Sequence, residues 1–146
     1  MQLGKNCKIT RVMNAVAAGT TDQNSSVVDM QNWEGVLFIA FFGTLTATQV
    51  TLLKAQQGEQ ADGSDMADLA GTATPALADA DSNKCLALDI KNPRERYVRA
   101  VIDRGTANAV IDGMVAIQYG PRKAPTSHDS SVKTFEGHVS PAEGTA

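Results

Sequence analysis

The sequence predicts an all-β protein: a single β-sandwich or barrel-like, jelly-roll-like domain of seven or eight strands with an extended C-terminal arm. Three observations carry this. Runs rich in β-branched and large apolar residues recur at short spacing, separated by polar turn residues. No segment keeps a helical hydrophobic period for the length of an ordinary helix. The last 27 residues, 120–146, hold three of the five prolines and only isolated large apolar side chains, Val132, Phe135 and Val139. The expected division is therefore a domain over residues 1–119, with room for a short N-terminal arm in its first residues, and an arm over 120–146.

Taken in order, residues 8–16 alternate loosely (Ile9, Val12, Val16) and give a first strand, and 17–25 a polar loop. Residues 26–30 give a short second strand, which residues 32–35 break around the single tryptophan, Trp33. Residues 36–42 (VLFIAFF) are apolar at both parities, whereas a strand with one wet face alternates. Both faces of this strand should be covered, and a domain of this size has little material for the outer one, so contact with another subunit is expected. Residues 46–56, rich in β-branched side chains, form the next strand, with Val50 and Leu52 on one side and Thr51 and Leu53 on the other. A polar excursion follows over 57–71, in which 64–70 could make one helical turn capped by Ser64. Residues 72–80 form a weak Ala/Thr strand, and 84–90 a well-alternating one with Leu86, Leu88 and Ile90 together. After the turn at Asn92 and Pro93, residues 96–103 and 109–119 read as a pair joined by a short hairpin loop through Gly105. In the last strand, Ala109, Ile111, Val115, Ile117 and Tyr119 are expected on one face, with Asn108, Asp112 and Gln118 opposite.

Composition narrows the function. Hydrophobic residues are 42% of the chain, but 21 of them are alanine, enough for one modest core. A net charge of −3 with dispersed Lys and Arg gives no nucleic-acid footprint. Aromatics at 5% are too few for a platform that stacks single-stranded bases. The longest apolar run has seven residues, against about 20 for a membrane span. A soluble chain made in the cytosol, with Cys7 and Cys85 as free thiols, is the expectation. No motif of a nucleotide-, zinc- or serine-dependent enzyme occurs, so neither enzyme activity nor a cofactor is expected. The acids of residues 62–68 and of Asp79 and Asp81 read as hydrated turns that cap backbone amides. His128 and His138 lie in the arm, where no rigid shell would fix a catalytic tautomer. Arg94, Arg96, Arg99 and Arg104 read as a basic patch that meets acids within the domain or on a partner.

Several words of the chain are familiar: residues 43–50 (GTLTATQV), 61–65 (ADGSD), 81–84 (DSNK), 93–97 (PRERY), 104–109 (RGTANA) and 140–146 (SPAEGTA). From about residue 26 to the end, the chain resembles small structural proteins of tailed bacteriophage and prophage virions. The resemblance implies a virion component, and a head decoration (cement) protein fits best. It would bind the outside of the capsid, with the major capsid protein as partner, and bridge capsomers as a homo-oligomer, trimer favoured and dimer next. Neither nucleic acid nor membrane would be a partner. The alternatives are a head–tail connector or tail-terminator ring and, more remotely, a carbohydrate-binding β-sandwich. The contact residues expected on these grounds are Phe38, Phe41 and Phe42 on the apolar strand, Arg94 and Arg96 beside the turn, and Pro121, Pro125, Phe135 and Pro141 on the arm.

Overall fold

A computed structural model describes residues 1–145. Two antiparallel sheets pack face to face as a β-sandwich. After a 3₁₀ turn at Leu3–Lys5, the strands are β1 (Cys7–Met13), β2 (Val16–Gly19), β3 (Gln23–Asn24), β4 (Val28–Asp29), β5 (Gly35–Leu45), β6 (Val50–Gly58), β7 (Ala67–Asp68), β8 (Cys85–Lys91), β9 (Tyr97–Gly105) and β10 (Ala109–Tyr119). The first sheet runs β1-β10-β5-β8, with β2 also on β10. The second runs β3-β9-β6-β7, with β4 also on β9. Among the described residues no helix is long and apolar enough to cross a membrane.

The core lies between the sheets. Val36, Phe38, Ala40 and Phe42 of β5 face Leu53 and Ala55 of β6 and Val98, Ala100 and Ile102 of β9 in one cluster. The alternations expected in β6 and β8 are present: Thr51, Leu53 and Ala55 are buried, and Leu86, Leu88 and Ile90 turn inward.

Four expectations are corrected. First, β9 and β10 do not form a hairpin; they belong to different sheets, and the turn between them crosses the sandwich. Arg104 stands at this corner, buried, and its guanidinium donates to the carbonyls of Thr21 (2.8 Å), Ala17 (3.1 Å) and Ala109 (2.7 Å). It is an internal brace and no member of a basic patch. Second, β10 changes parity. Register shifts on both sides of Ile111, between Ala109 and Ile111 and between Ile111 and Gly113, form a bulge, and Gly113 has φ 140°. A side chain rarely adopts that conformation, and a Cβ there would sit 3.1 Å from the Met13 carbonyl. Beyond the bulge Met114, Ala116 and Gln118 point inward, and Val115, Ile117 and Tyr119 point outward.

Third, residues 72–80 are no strand, although they lie beside β6. The amides of Thr74 and Leu77 donate to Leu53 and Thr51, while the hydroxyls of Thr74 and Thr72 accept from Leu53 and Ala55. Pro75 lacks the donor a ladder needs, so hydroxyls take the place of backbone partners. Fourth, residues 64–70 make no helical turn; Ala67–Asp68 pairs with β6 as β7. The acids nearby do cap turns, Asp62 accepting from Ser64 and Asp65 from Glu59 and Gln60. The strands not expected are β2 and β3, which fall largely in the expected polar loop 17–25, and β7, while the short expected strand over 26–30 is present as β4.

Arg104→Leu should remove three donors at the corner and leave buried carbonyls unpaired, lowering unfolding free energy by about 3 kcal/mol. Urea unfolding would read this, and an unchanged midpoint would show that the corner does not depend on the guanidinium.

Candidate interaction surfaces

The two outer faces of the sandwich differ in chemistry. On the second sheet, Lys54 and Asp68 form an ion pair (3.0 Å), Gln56 donates to Asp68 (2.6 Å), and Arg99 donates to Gln56 (2.7 Å). These bonds, that from Gln56 foremost, hold the Asp68 carboxyl below its usual range. This face carries a connected set of polar contacts, with Val50 and Leu52 beside them on the same side of β6.

The outer face of the first sheet is apolar. Register aligns Ile9, Ile117 and Leu37 in one row across β1, β10 and β5, and Val115, Ile39 and Ala87 in the next across β10, β5 and β8. Phe41 stands at the end of the patch, 43% exposed, opposite Gly113, which has no side chain to shelter it. Arg11 lies on the β1 margin, and Asp89 on β8. Of the apolar strand's expected contacts, then, only Phe41 is available. Phe38 and Phe42 are 0% and 1% exposed and belong to the core, because inward positions of a strand alternate with outward ones.

One side chain of this face is fixed by an absence. Gly35 of β5 pairs with Tyr119, and the phenol ring occupies the space a Cβ of Gly35 would need. The ring thus lies across β5, and its hydroxyl donates to Asp89 of β8 (2.7 Å). Burial, reinforced by the Asp89 carboxylate, pushes the phenol up to about 12. No local pattern points to this contact, since Gly35 stands in an expected turn.

The expected arginine contacts sit at the end of the sandwich near Trp33. Arg96 grips Asp29 with both arms of its fork (2.9 and 2.7 Å), donates to Gln31 (2.8 Å) and lies over the Tyr97 ring. Its hydrogen bond keeps the Asp29 carboxyl low. Arg96 is therefore engaged within its own domain, as is Arg99, whereas the exposed Arg94 has no ion-pair partner among the described residues. Pro121 and Pro125 line an open hollow of about 560 Å³ together with Trp33, Lys8, Lys123 and His128.

The arm does not project over its whole length. Arg122 N–H donates to the Asn32 carbonyl, and residues 126–131 then run beside the free edge of β1. Thr126 donates its amide to Lys5 (3.0 Å) and its hydroxyl to the Cys7 carbonyl, and Asp129 N–H donates to Ile9 (3.1 Å). In return, His128 Nδ1 accepts from Ile9 N–H (3.1 Å) and Ser131 Oγ from Arg11 N–H (2.9 Å). Phe135 packs edge-on against His128, with ring centroids 4.5 Å apart. Residues 133–145 are exposed, Pro141 among them. Cys7 is buried and Cys85 exposed, and the two are not bonded. Comparison with known protein families and with curated proteins finds neither a family nor a relative that matches this chain.

The Tyr119 phenol fixes a pH response. Its folded pKa lies above the roughly 10 of a free phenol, so the unfolded chain loses the proton first and stability falls as pH rises from about 10 to about 12. Tyr119→Phe should flatten thermal stability across that interval. Equal alkaline loss in both proteins would assign the effect elsewhere.

Proposed function

We propose that the protein is a structural virion component that binds other protein surfaces, and specifically a head decoration protein: it sits on the capsid exterior, contacts the major capsid protein and bridges capsomers as a homo-oligomer. It is synthesised in the host cytoplasm and works without catalysis or cofactor. The observation that carries this reading is the apolar outer face of the first sheet. A contiguous apolar surface on a small domain marks a site of protein contact; here half-buried Ile9, Leu37, Ile39, Val115 and Ile117 adjoin the exposed Phe41, whereas the opposite sheet carries the polar set of Lys54, Gln56, Asp68 and Arg99. The resemblance to tailed-phage structural proteins supplies the setting. The exposed tail beyond residue 132 adds contacts that a repeated array would multiply through avidity.

Phe41→Asp should leave folding within about 0.5 kcal/mol of the parent, because the ring is already half exposed, yet reduce self-association to monomer and abolish shell attachment. A variant that still assembles and attaches would remove the outer face from the interface. Cryo-EM of the intact virion tests the setting: density at many sites over the capsid exterior is expected. A single ring at one vertex would make the chain a connector, and absence from the particle would turn attention to carbohydrate binding.

A further inference from the structure

A bare edge strand presents unpaired amides and carbonyls, and proteins cover such edges. Here β1 is covered by residues 126–131 of its own chain, but the cover is not a regular ladder. The amides of Ile9 and Arg11, which β1 directs outward, are received by side chains, His128 Nδ1 and Ser131 Oγ. The carbonyls of Cys7 and Ile9 point to the same edge. Accepting from Ile9 requires His128 Nδ1 to carry no proton, which places the imidazole proton on Nε2; that nitrogen is buried and has no hydrogen-bond partner among the described residues. A second proton on the ring must go to Nδ1, where it would face the Ile9 N–H donor to donor. The charged groups sharing the hollow with His128 are Lys8, Lys123 and Asp129. Asp129 is already drawn to Ser131 and feels Lys8, so no free carboxylate of this group stands ready to hold an imidazolium in place.

The exposed edge would be complementary to itself. With two copies antiparallel about a two-fold axis at Ile9, each Ile9 N–H meets the Ile9 carbonyl of the other, and each Arg11 N–H meets the Cys7 carbonyl of the other. Those are the groups the strap now satisfies. Thr10 then opposes Lys8, and no like charges lie directly opposite. We propose that the β1 edge is a pairing site for a second copy of this chain, masked by residues 126–131 and unmasked when His128 is protonated. This goes beyond the virion reading and uses a different surface from the apolar face.

The test uses the full-length chain with Phe41→Asp, so that association through the outer face is removed. Exchange of the Thr126 and Asp129 amides, measured by NMR, reports the strap, and sedimentation reports mass. Going from about pH 8 to about pH 5, the interval over which imidazoles charge, both amides should lose protection and the mass should double. Adding His128→Asn, whose Oδ1 accepts without titrating, should keep the strap closed and the chain monomeric at both values. Adding His128→Ala should open the strap and double the mass at both. Equal strap loss at low pH in the Asn variant and its parent would overturn the latch, as would a closed strap in the Ala variant. An open strap on a chain that stays monomeric at about 100 µM, where weak pairing would be visible, would overturn the pairing.

Discussion

The bulge in β10 decides which side of the first sheet most of that strand's residues occupy, and the two surfaces of the molecule follow from it. Up to Ile111 the strand sends its odd positions into the core; after Gly113 it sends its even ones. Without this shift Val115, Ile117 and Tyr119 would lie inside, and Met114, Ala116 and Gln118 outside. Instead Gln118 enters the interior, where its amide donates to the Asp29 carbonyl (2.8 Å) and ties the sheet to the β4 segment. Ile117 and Val115 then join Leu37 and Ile39 on the outer face. One glycine at a positive φ thus converts a strand that reads as simply amphipathic into one that feeds both a core and an exposed apolar surface.

The sandwich class was legible because it rests on period-two patterning. Strands β6 and β8 have inner residues where alternation places them, and β5 is apolar on both faces as its sequence says. What could not be read depends on partners distant in sequence. Nothing local distinguishes a loop that joins two strands of one sheet from one that crosses between sheets, and Arg104, written among other arginines, shows its role only beside the carbonyls of Ala17 and Thr21. The Tyr119 ring needs Gly35, eighty-odd residues earlier in the chain. Of the candidate contacts, Phe41, Arg94 and the arm prolines lie at the surface, whereas Phe38 and Phe42 followed the apolar pattern into the core.

The outer face and the β1 edge offer two different kinds of contact. Burial of the face is non-directional and grows with the area covered, so it tolerates small changes in docking angle. Edge pairing is directional, fixes register residue by residue and adds little apolar area. On the proposed reading the two are complementary, since one would supply adhesion and the other orientation. The chain keeps the second under cover with a segment held mostly by polar bonds, each of which is worth little net free energy in water.

The strap also has a mechanical sense. It runs parallel to β1, from Thr126 beside Lys5 to Ser131 beside Arg11, and the chain then turns back, so that Phe135 lies on His128 and Gly4, and Gly137 beside Gln2. Tension that draws this tail away from the sheet edge loads the bonds one after another: Ser131 first, then Asp129 and His128, and Thr126 last. Bonds arranged this way peel at low force, whereas the same bonds pulled along the strand axis would resist together. A tail anchored to another body would open the edge by traction alone, while the sandwich behind it stays intact.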